Sequence, residues 1–169
     1  MAGLPQGVRG DLMQTITMTA ILQKMRDCLV ASTALGAWCT TKYGKAPKIY
    51  VGIDIRTPPD ENSMPHIVLL PAPKEEGLEQ SVHIYRVYVA WAIEDATVTT
   101  TGNVIEHAGL YDSDTFGQMI WTILAGFSTN CPASRVEYDL DGETFVPVFP
   151  GIQTIEIHVP VAIGGNITL

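Results

Sequence analysis

The first segment with the three- and four-residue spacing of an amphipathic α-helix covers residues 15–34. Thr17 or Thr19 is suited to cap its beginning, because a threonine hydroxyl can accept a hydrogen bond from an unpaired amide of the first turn. Gly36 and the polar segment 40–47 are expected to end it. The apolar positions of this helix are Ala20, Ile21, Met25, Cys28 and Leu29.

A second helix is predicted over residues 112–127. Asp112, Ser113 or Asp114 is expected to be its N-cap, and aspartates suit the positive end of the helix dipole. Ser128 and the residues after it are expected to stop it. Its apolar stripe consists of Phe116, Met119, Ile120, Ile123, Leu124 and Phe127.

Five other segments are rich in β-branched and aromatic residues and predict strands. The last of them alternates apolar and polar residues, which indicates one buried face, and Pro160 places that strand at a sheet edge or marks its end. The segments between strands are expected to be loops at 56–64, 72–80 and 95–104. The five predicted strands are residues 48–55, 66–70, 81–93, 135–140 and 153–163.

The strand predicted over residues 81–93 has apolar residues on both faces. Tyr85, Val87 and Trp91 share one face, while Ile84 and Tyr88 share the other. This pattern predicts a central strand that is covered on both sides.

The predicted order is α-β-β-β-α-β-β, which describes an α+β fold with two α-helices packed on a mostly antiparallel β-sheet. The length of 169 residues fits one domain. We therefore predict a single domain over residues 15–169. Residues 1–14, with three glycines and a proline, predict a flexible arm that needs a partner to become ordered.

Composition excludes several classes of protein. Hydrophobic residues make up 46% of the chain and charged residues 17%, against a usual charged share of about 25%. This balance excludes intrinsic disorder and favours a subunit with faces buried against other subunits, although a monomer with a neutral, threonine-rich surface is the alternative. The net charge of −8 argues against nucleic-acid binding. Neither a membrane-spanning run nor a cleavable leader is expected.

Charge is distributed unevenly along the chain. Residues 1–56 contain seven basic and three acidic residues, whereas residues 57–169 contain three basic and 15 acidic residues. A basic face on one subunit could meet an acidic face on the next, as in a head-to-tail ring, although an ordinary solvated surface would show the same asymmetry. The candidate basic interface is Lys42, Lys45, Lys48 and Arg56.

Acidic residues are concentrated between positions 94 and 143. Three readings stay open: a lumen or interface surface that repels passing DNA, a solvated hairpin tip, and a calcium loop, although EF-hand spacing is absent. The candidate acidic surface is Glu94, Asp95, Glu137, Asp139, Asp141 and Glu143.

Signatures of catalysis are scarce. The phosphate-binding, serine-hydrolase and zinc-protease motifs do not occur, and the four histidines lie in separate segments. Cys28, Cys39 and Cys131 have no spacing typical of zinc or disulfides, and we expect reduced thiols. We predict no catalytic residue, no metal and no cofactor.

Two other functions remain as alternatives. One is a hydrolase or isomerase with a carboxylate pair, Glu94 with Glu106 or Asp112. The other is a cellular module that binds a ligand or peptide on an aromatic strand surface. That surface would consist of Tyr50, Tyr85, Tyr88 and Trp91.

The succession of segments resembles the tail terminator proteins of long-tailed bacteriophages. The resemblance lies in IYVGI at 49–53, PHIVLLP at 65–71, the long strand at 82–93, the capped helix at 112–127 and the final strand at 155–161. It covers residues 15–165 and depends on element order and strand character. Other neck or tail-completion proteins of the virion share these features.

The resemblance implies a role that is structural. Such a subunit forms a hexameric ring that caps the finished tail tube and presents a surface to the head–tail connector. DNA passes through its lumen without specific binding. The implied partners are copies of the chain, the tail-tube protein and the connector, with no membrane, and the implied location is the virion, assembled in the host cytoplasm.

Overall fold

The computed structural model of the chain describes residues 16–77, 81–141 and 146–161. Within these ranges there are three α-helices, of which the first and third pack directly on a five-stranded sheet, and a separate two-stranded sheet forms a hairpin. The predicted α+β class is confirmed. The predicted arm at 1–14, the acid Glu143 and the end of the last predicted strand lie outside the described residues.

The first helix, α1, spans Met18–Ala31 and begins as predicted. The hydroxyl of the N-cap residue Thr17 accepts a hydrogen bond of 3.1 Å from the amide of Ala20. Ile21 and Met25 lie on its buried side. The helical spacing in the sequence therefore identified the face that packs on the sheet.

A second helix, α2, spans Thr33–Tyr43, where the sequence predicts a break. Ser32 restarts the helix because its hydroxyl accepts a hydrogen bond of 3.3 Å from the amide of Leu35. Leu35 and Cys39 lie one turn apart and are both fully buried. This packing outweighs the cost of about 1 kcal/mol for Gly36 inside a helix, so the predicted break is wrong.

The third helix, α3, spans Ala108–Ala125 and begins four residues before its predicted cap. The preceding strand leads directly into it, and the amide of Ala108 donates to the carbonyl of Thr97 at 3.1 Å. Asp112, Ser113 and Asp114 therefore lie inside the helix, and the prediction that one of them is the N-cap is wrong.

The main sheet has the order β1-β2-β3-β7-β6, and its neighbours are antiparallel except for the parallel pair β1 and β2. The last predicted strand lies inside this sheet, and Pro160 is its final residue. Of the two predicted explanations for this proline, the end of the strand is confirmed and an edge strand is wrong. The strands are β1 Lys48–Val51, β2 His66–Pro71, β3 Val82–Glu94, β6 Ala133–Leu140 and β7 Val148–Pro160.

The remaining strands, β4 Val98–Thr101 and β5 Val104–His107, form the hairpin, and β4 lies in the segment 95–104 that the sequence predicts to be a loop. Gly102 and Asn103 connect them, and Gly102 has a φ of 63°. A positive φ at the first central residue suits a two-residue hairpin turn of type II′. The sequence signal for this hairpin is therefore Gly-Asn between two β-branched runs.

The core lies between the helices and one face of the sheet. Its largest side chains are the rings of Trp91, Tyr85 and Phe116, each buried almost completely. Trp38 of α2 stacks on Phe116 of α3 with 5.6 Å between ring centroids. In the described residues, no helix is both long and apolar enough to cross a membrane.

Candidate assembly surface

The face of the main sheet that the helices leave uncovered is the first candidate surface. Tyr85 and Trp91 of β3 point towards the helices and are buried, whereas Ile84, Tyr88 and Ala90 are half-buried on the opposite side. The prediction that β3 is covered on both faces is thus wrong for the subunit, although β3 is central as expected. We call this uncovered side the open face.

The pairing registers align one row of residues across the open face from β1 to β6. The row ends at Tyr50 on β1 and at Asp139 on β6, with one residue from each intervening strand between them. With strands about 4.8 Å apart, four spacings separate its ends by about 19 Å. The complete row is Tyr50, Val68, Ala90, Ile152 and Asp139.

The acidic candidates concentrate at the β6 side of this face. Glu137 and Asp139 are exposed on β6, and Glu137 accepts a hydrogen bond of 2.8 Å from Thr154. Asp141 follows the end of that strand, and Glu94 is the exposed last residue of β3. Asp95 has a local role instead, since its carboxylate accepts from the amide of Thr97 at 2.7 Å.

The basic candidates divide into two groups. Lys42 forms an ion pair of 2.8 Å with Asp112 of α3, so it ties two helices together and does not belong to a free basic surface. Arg56 pairs with Asp54 in an exposed turn. Lys45 and Lys48 lie before and at the start of β1, and neither forms an ion pair in the described part of the chain.

A shallow concavity of about 640 Å³ lies on the open face. His66 is buried in its wall, with Nδ1 3.2 Å from the hydroxyl of Ser63. Burial lowers the pKa of His66, with a smaller opposing effect from Asp60 and a small reinforcing one from Lys48. The lining includes His66, Ala90, Ala92, Asp139, Asp141 and Ile152.

The predicted aromatic ligand surface does not exist as one surface. Tyr85 and Trp91 belong to the core, whereas Tyr50 and Tyr88 lie on the open face. This division follows from the two-residue period of a strand, which sends odd and even positions to opposite sides.

Two of the three carboxylates considered for catalysis, Glu106 and Asp112, have structural partners. Glu106 accepts a hydrogen bond of 3.0 Å from the phenol of Tyr111, and Asp112 is held by Lys42. Burial raises the pKa of Cys131. Within the described ranges, groups of three or more His, Cys, Asp or Glu side chains that could hold a metal ion do not occur.

Sequence reasoning missed a second surface, on the hairpin and the first turn of α3. Every residue of β4 and the first three of β5 are exposed, and Ile105 exposes 66% of its surface. The hydrogen bond from Tyr111 to Glu106 joins α3 to β5. We call these exposed apolar residues the hairpin patch: Val98, Val104, Ile105, Leu110 and Tyr111.

No protein-family model and no curated protein sequence matches this chain. Its fold is similar to that of a chain in the solved structure described as "Virion of native gene transfer agent (GTA) particle". The TM-score is 0.55 at 11% sequence identity, and the match covers 82% of this chain and 93% of the other. At this level of identity the likeness concerns the fold.

Proposed function

We propose that this chain is a structural protein of a virion and acts there as a tail terminator. In this role, copies of the chain form a ring, expected to be a hexamer, that caps the finished tail tube. One side of the ring binds the tail-tube protein, and the other offers a surface to the head–tail connector. The protein works through shape and contact and needs no cofactor.

The observation that carries the proposal is the shared fold. The match spans 93% of the length of a chain from a native gene transfer agent virion, so nearly all of that virion protein has a counterpart here. The resemblance of the sequence to phage tail terminators was drawn from the order of strands and helices. Both comparisons therefore point to a protein that assembles into a particle.

The hairpin patch gives this proposal a physical basis. A two-stranded hairpin in water is marginally stable by itself, and here it exposes apolar residues on both faces, Val98 and Ile105 on one and Val104 on the other. Exposed apolar residues concentrated in this way are typical of interaction sites. Ile105, Val104 and Tyr111 are each more than half exposed. We infer that the hairpin patch is covered in the assembled particle, by the tail tube.

The acids of the open face suit a surface past which DNA moves. Glu94 and Glu137 are exposed there, and the chain has a net charge of −8. Like charge repels phosphate, so a lumen lined in this way would let the genome pass without binding it.

The test is to mix the purified protein with purified tail tubes and image them by negative stain. We expect ring-sized particles on tube ends, and mass photometry should show a ring alone or in the presence of tubes. A protein that stays monomeric and ignores tubes under all conditions contradicts the proposal. Binding to connector rings but not to tubes would make it a different neck protein.

A matched pair of variants tests the hairpin patch. Ile105→Lys places a charge on the hairpin, and Val30→Lys places one on α1, at an apolar residue of nearly equal exposure, 67% against 66%. We expect Ile105→Lys to lose tube binding and Val30→Lys to keep it, with both folded by circular dichroism. Equal binding of the two variants contradicts the assignment of the hairpin patch.

A further inference from the structure

The two edges of the main sheet have no strand partner within the described subunit. β1 pairs only with β2, and β6 pairs only with β7. An edge strand presents unpaired backbone groups that can pair with another chain. The sheet therefore has two free sides on which a further strand can dock.

These two edges carry opposite charges. The β1 edge has Lys45 and Lys48, and the β6 edge has Glu137 and Asp139. Asp139 is exposed, and its carboxylate forms no ion pair within the described part of the chain. Among the described residues, Lys48 on one edge and Asp139 on the other are thus both charged and without an ion pair.

The edges also agree in direction and length. Counting across the sheet, β1 and β6 run antiparallel, so two copies placed side by side bring β6 of one antiparallel to β1 of the other. A bulge between Arg135 and Glu137 interrupts the β6 ladder, and the regular part that remains, residues 137–140, has four residues, as does β1.

The row across the open face predicts which residues meet. Tyr50 and Asp139 are its two ends, so an unstaggered contact places Tyr50 of one copy opposite Asp139 of the next. Lys48 then lies two residues away on the same face, at the diagonal position that long side chains reach. Val51 and Val136, each nearly half exposed, add apolar area to the two edges.

We propose that the β1 edge of one copy docks against the β6 edge of a second copy, with Lys48 paired to Asp139. A second copy is the expected occupant because one chain carries both complementary edges, and the row across the open face aligns Tyr50 on one edge with Asp139 on the other. After each contact, one copy still has a free β6 edge and the other a free β1 edge. The same head-to-tail contact can therefore repeat until a ring closes. This inference rests on the proposed ring, and it identifies the joint between its subunits.

Charge reversal tests the joint by mass photometry across a concentration series. Lys48→Glu alone, and Asp139→Lys alone, bring like charges together, and we expect the concentration for half-assembly to rise about tenfold or more. Lys24→Glu makes the same change on α1, outside both edge strands, and should assemble like the wild type.

Mixing the two reversed variants is the decisive measurement. A Lys48→Glu copy carries an acid at this position of both edges, and an Asp139→Lys copy carries a lysine at both. In a ring in which the two variants alternate, every contact again joins an acid to a lysine. We expect the equimolar mixture to assemble at close to the wild-type concentration. A mixture that assembles no better than either variant alone overturns the proposed joint.

Disulfide trapping tests the same joint without reversing any charge, in case a charge-reversed variant fails to fold. In a Cys28→Ser chain with Tyr50→Cys and Asp139→Cys, the α-carbons of the two new cysteines lie about 19 Å apart within one copy. This is beyond the roughly 7 Å that a disulfide can span between α-carbons, so the two cannot join within a copy. Mild oxidation should produce a ladder of covalent multimers, whereas Lys24→Cys with Asp139→Cys should not. No ladder in an assembled ring overturns the joint and leaves the ring intact. A wild type that never assembles overturns the proposed function itself.

Discussion

The indole of Trp91 occupies the space that a side chain at Gly117 would need. A β-carbon added at Gly117 of α3 would lie 2.4 Å from Cζ2 of Trp91, and one added at Gly151 of β7 would lie 2.3 Å from the same atom. The indole Nε1 donates to the carbonyl and hydroxyl oxygens of Ser113, at 3.1 and 3.0 Å. Two glycines and a serine thus determine where α3 sits on the sheet.

Gly117→Ala is expected to lower the free energy of unfolding by about 1–3 kcal/mol, because the added methyl group forces the packed indole to move. Gly36→Ala is the matched control: an added β-carbon there meets nothing within 4 Å. Since alanine suits a helix interior better than glycine, this control should raise the free energy of unfolding by about 0.5–1 kcal/mol. Urea titration measures both, and equal effects would contradict the packing argument.

Gln153→Met is expected to stabilise the fold. Gln153 is fully buried, and among the described residues neither atom of its amide has a hydrogen-bond partner. An unpaired buried polar group costs about 1–3 kcal/mol, which methionine avoids at similar length, so the free energy of unfolding should rise by about that amount.

Ser113→Ala provides the contrast for Gln153. Ser113 is equally buried, but its hydroxyl donates to the carbonyl of Phe149 at 3.1 Å and accepts from Trp91. Its removal should lower the free energy of unfolding by about 1 kcal/mol. If both variants shift stability in the same direction, hydrogen bonding does not distinguish these two buried groups.

The buried imidazole of His66 predicts that stability falls in mild acid. Burial lowers the pKa of folded His66 below the unfolded value of about 6.5. As the pH falls through 6.5, the unfolded state takes up a proton that the folded state resists, so the free energy of unfolding decreases. Above about pH 8, where His66 is neutral in both states, this residue contributes almost no pH dependence.

Thermal melts at pH 7.5 and pH 5.0 measure this effect. The loss of melting temperature between the two should be smaller in His66→Gln than in the wild type. A variant that loses as much as the wild type would show that His66 does not titrate differently on folding.

Thiol reactivity should distinguish the three cysteines. Burial raises the pKa of Cys39 to about 12, and Cys131 is also buried, whereas Cys28 is half-buried. Because the thiolate is the reactive form, a disulfide reagent at pH 8 should label one thiol per folded chain and all three in denaturant. Cys28→Ser should abolish labelling of the folded protein. Labelling that persists in this variant would show that a buried cysteine, Cys39 or Cys131, also reacts in the folded state.

Most strands and the faces they bury could be predicted from sequence. Alternation separated Tyr85 and Trp91 from Tyr88 on β3, and it placed Glu137 and Asp139 on one side of β6, because the period of a strand is a local property of the backbone. The α+β class followed from the same patterns. The hairpin at β4 and β5 was missed because its exposed threonines and valines have no buried face to reveal a period.

Contacts between distant segments were decided only by the tertiary structure. Ser32 and the packing of Leu35 and Cys39 continued a helix through Gly36, and Asp112, which resembles a cap, instead binds Lys42, a residue 70 positions away. The insertion of β7 between β3 and β6 made β1 and β6 the edges, with the lysines on one and the acids on the other. The spacing of residues in the sequence shows the period of a helix or strand, but it does not show which distant residues are in contact. Those contacts depend on the free energy of packing, which is set by the surfaces that meet in three dimensions.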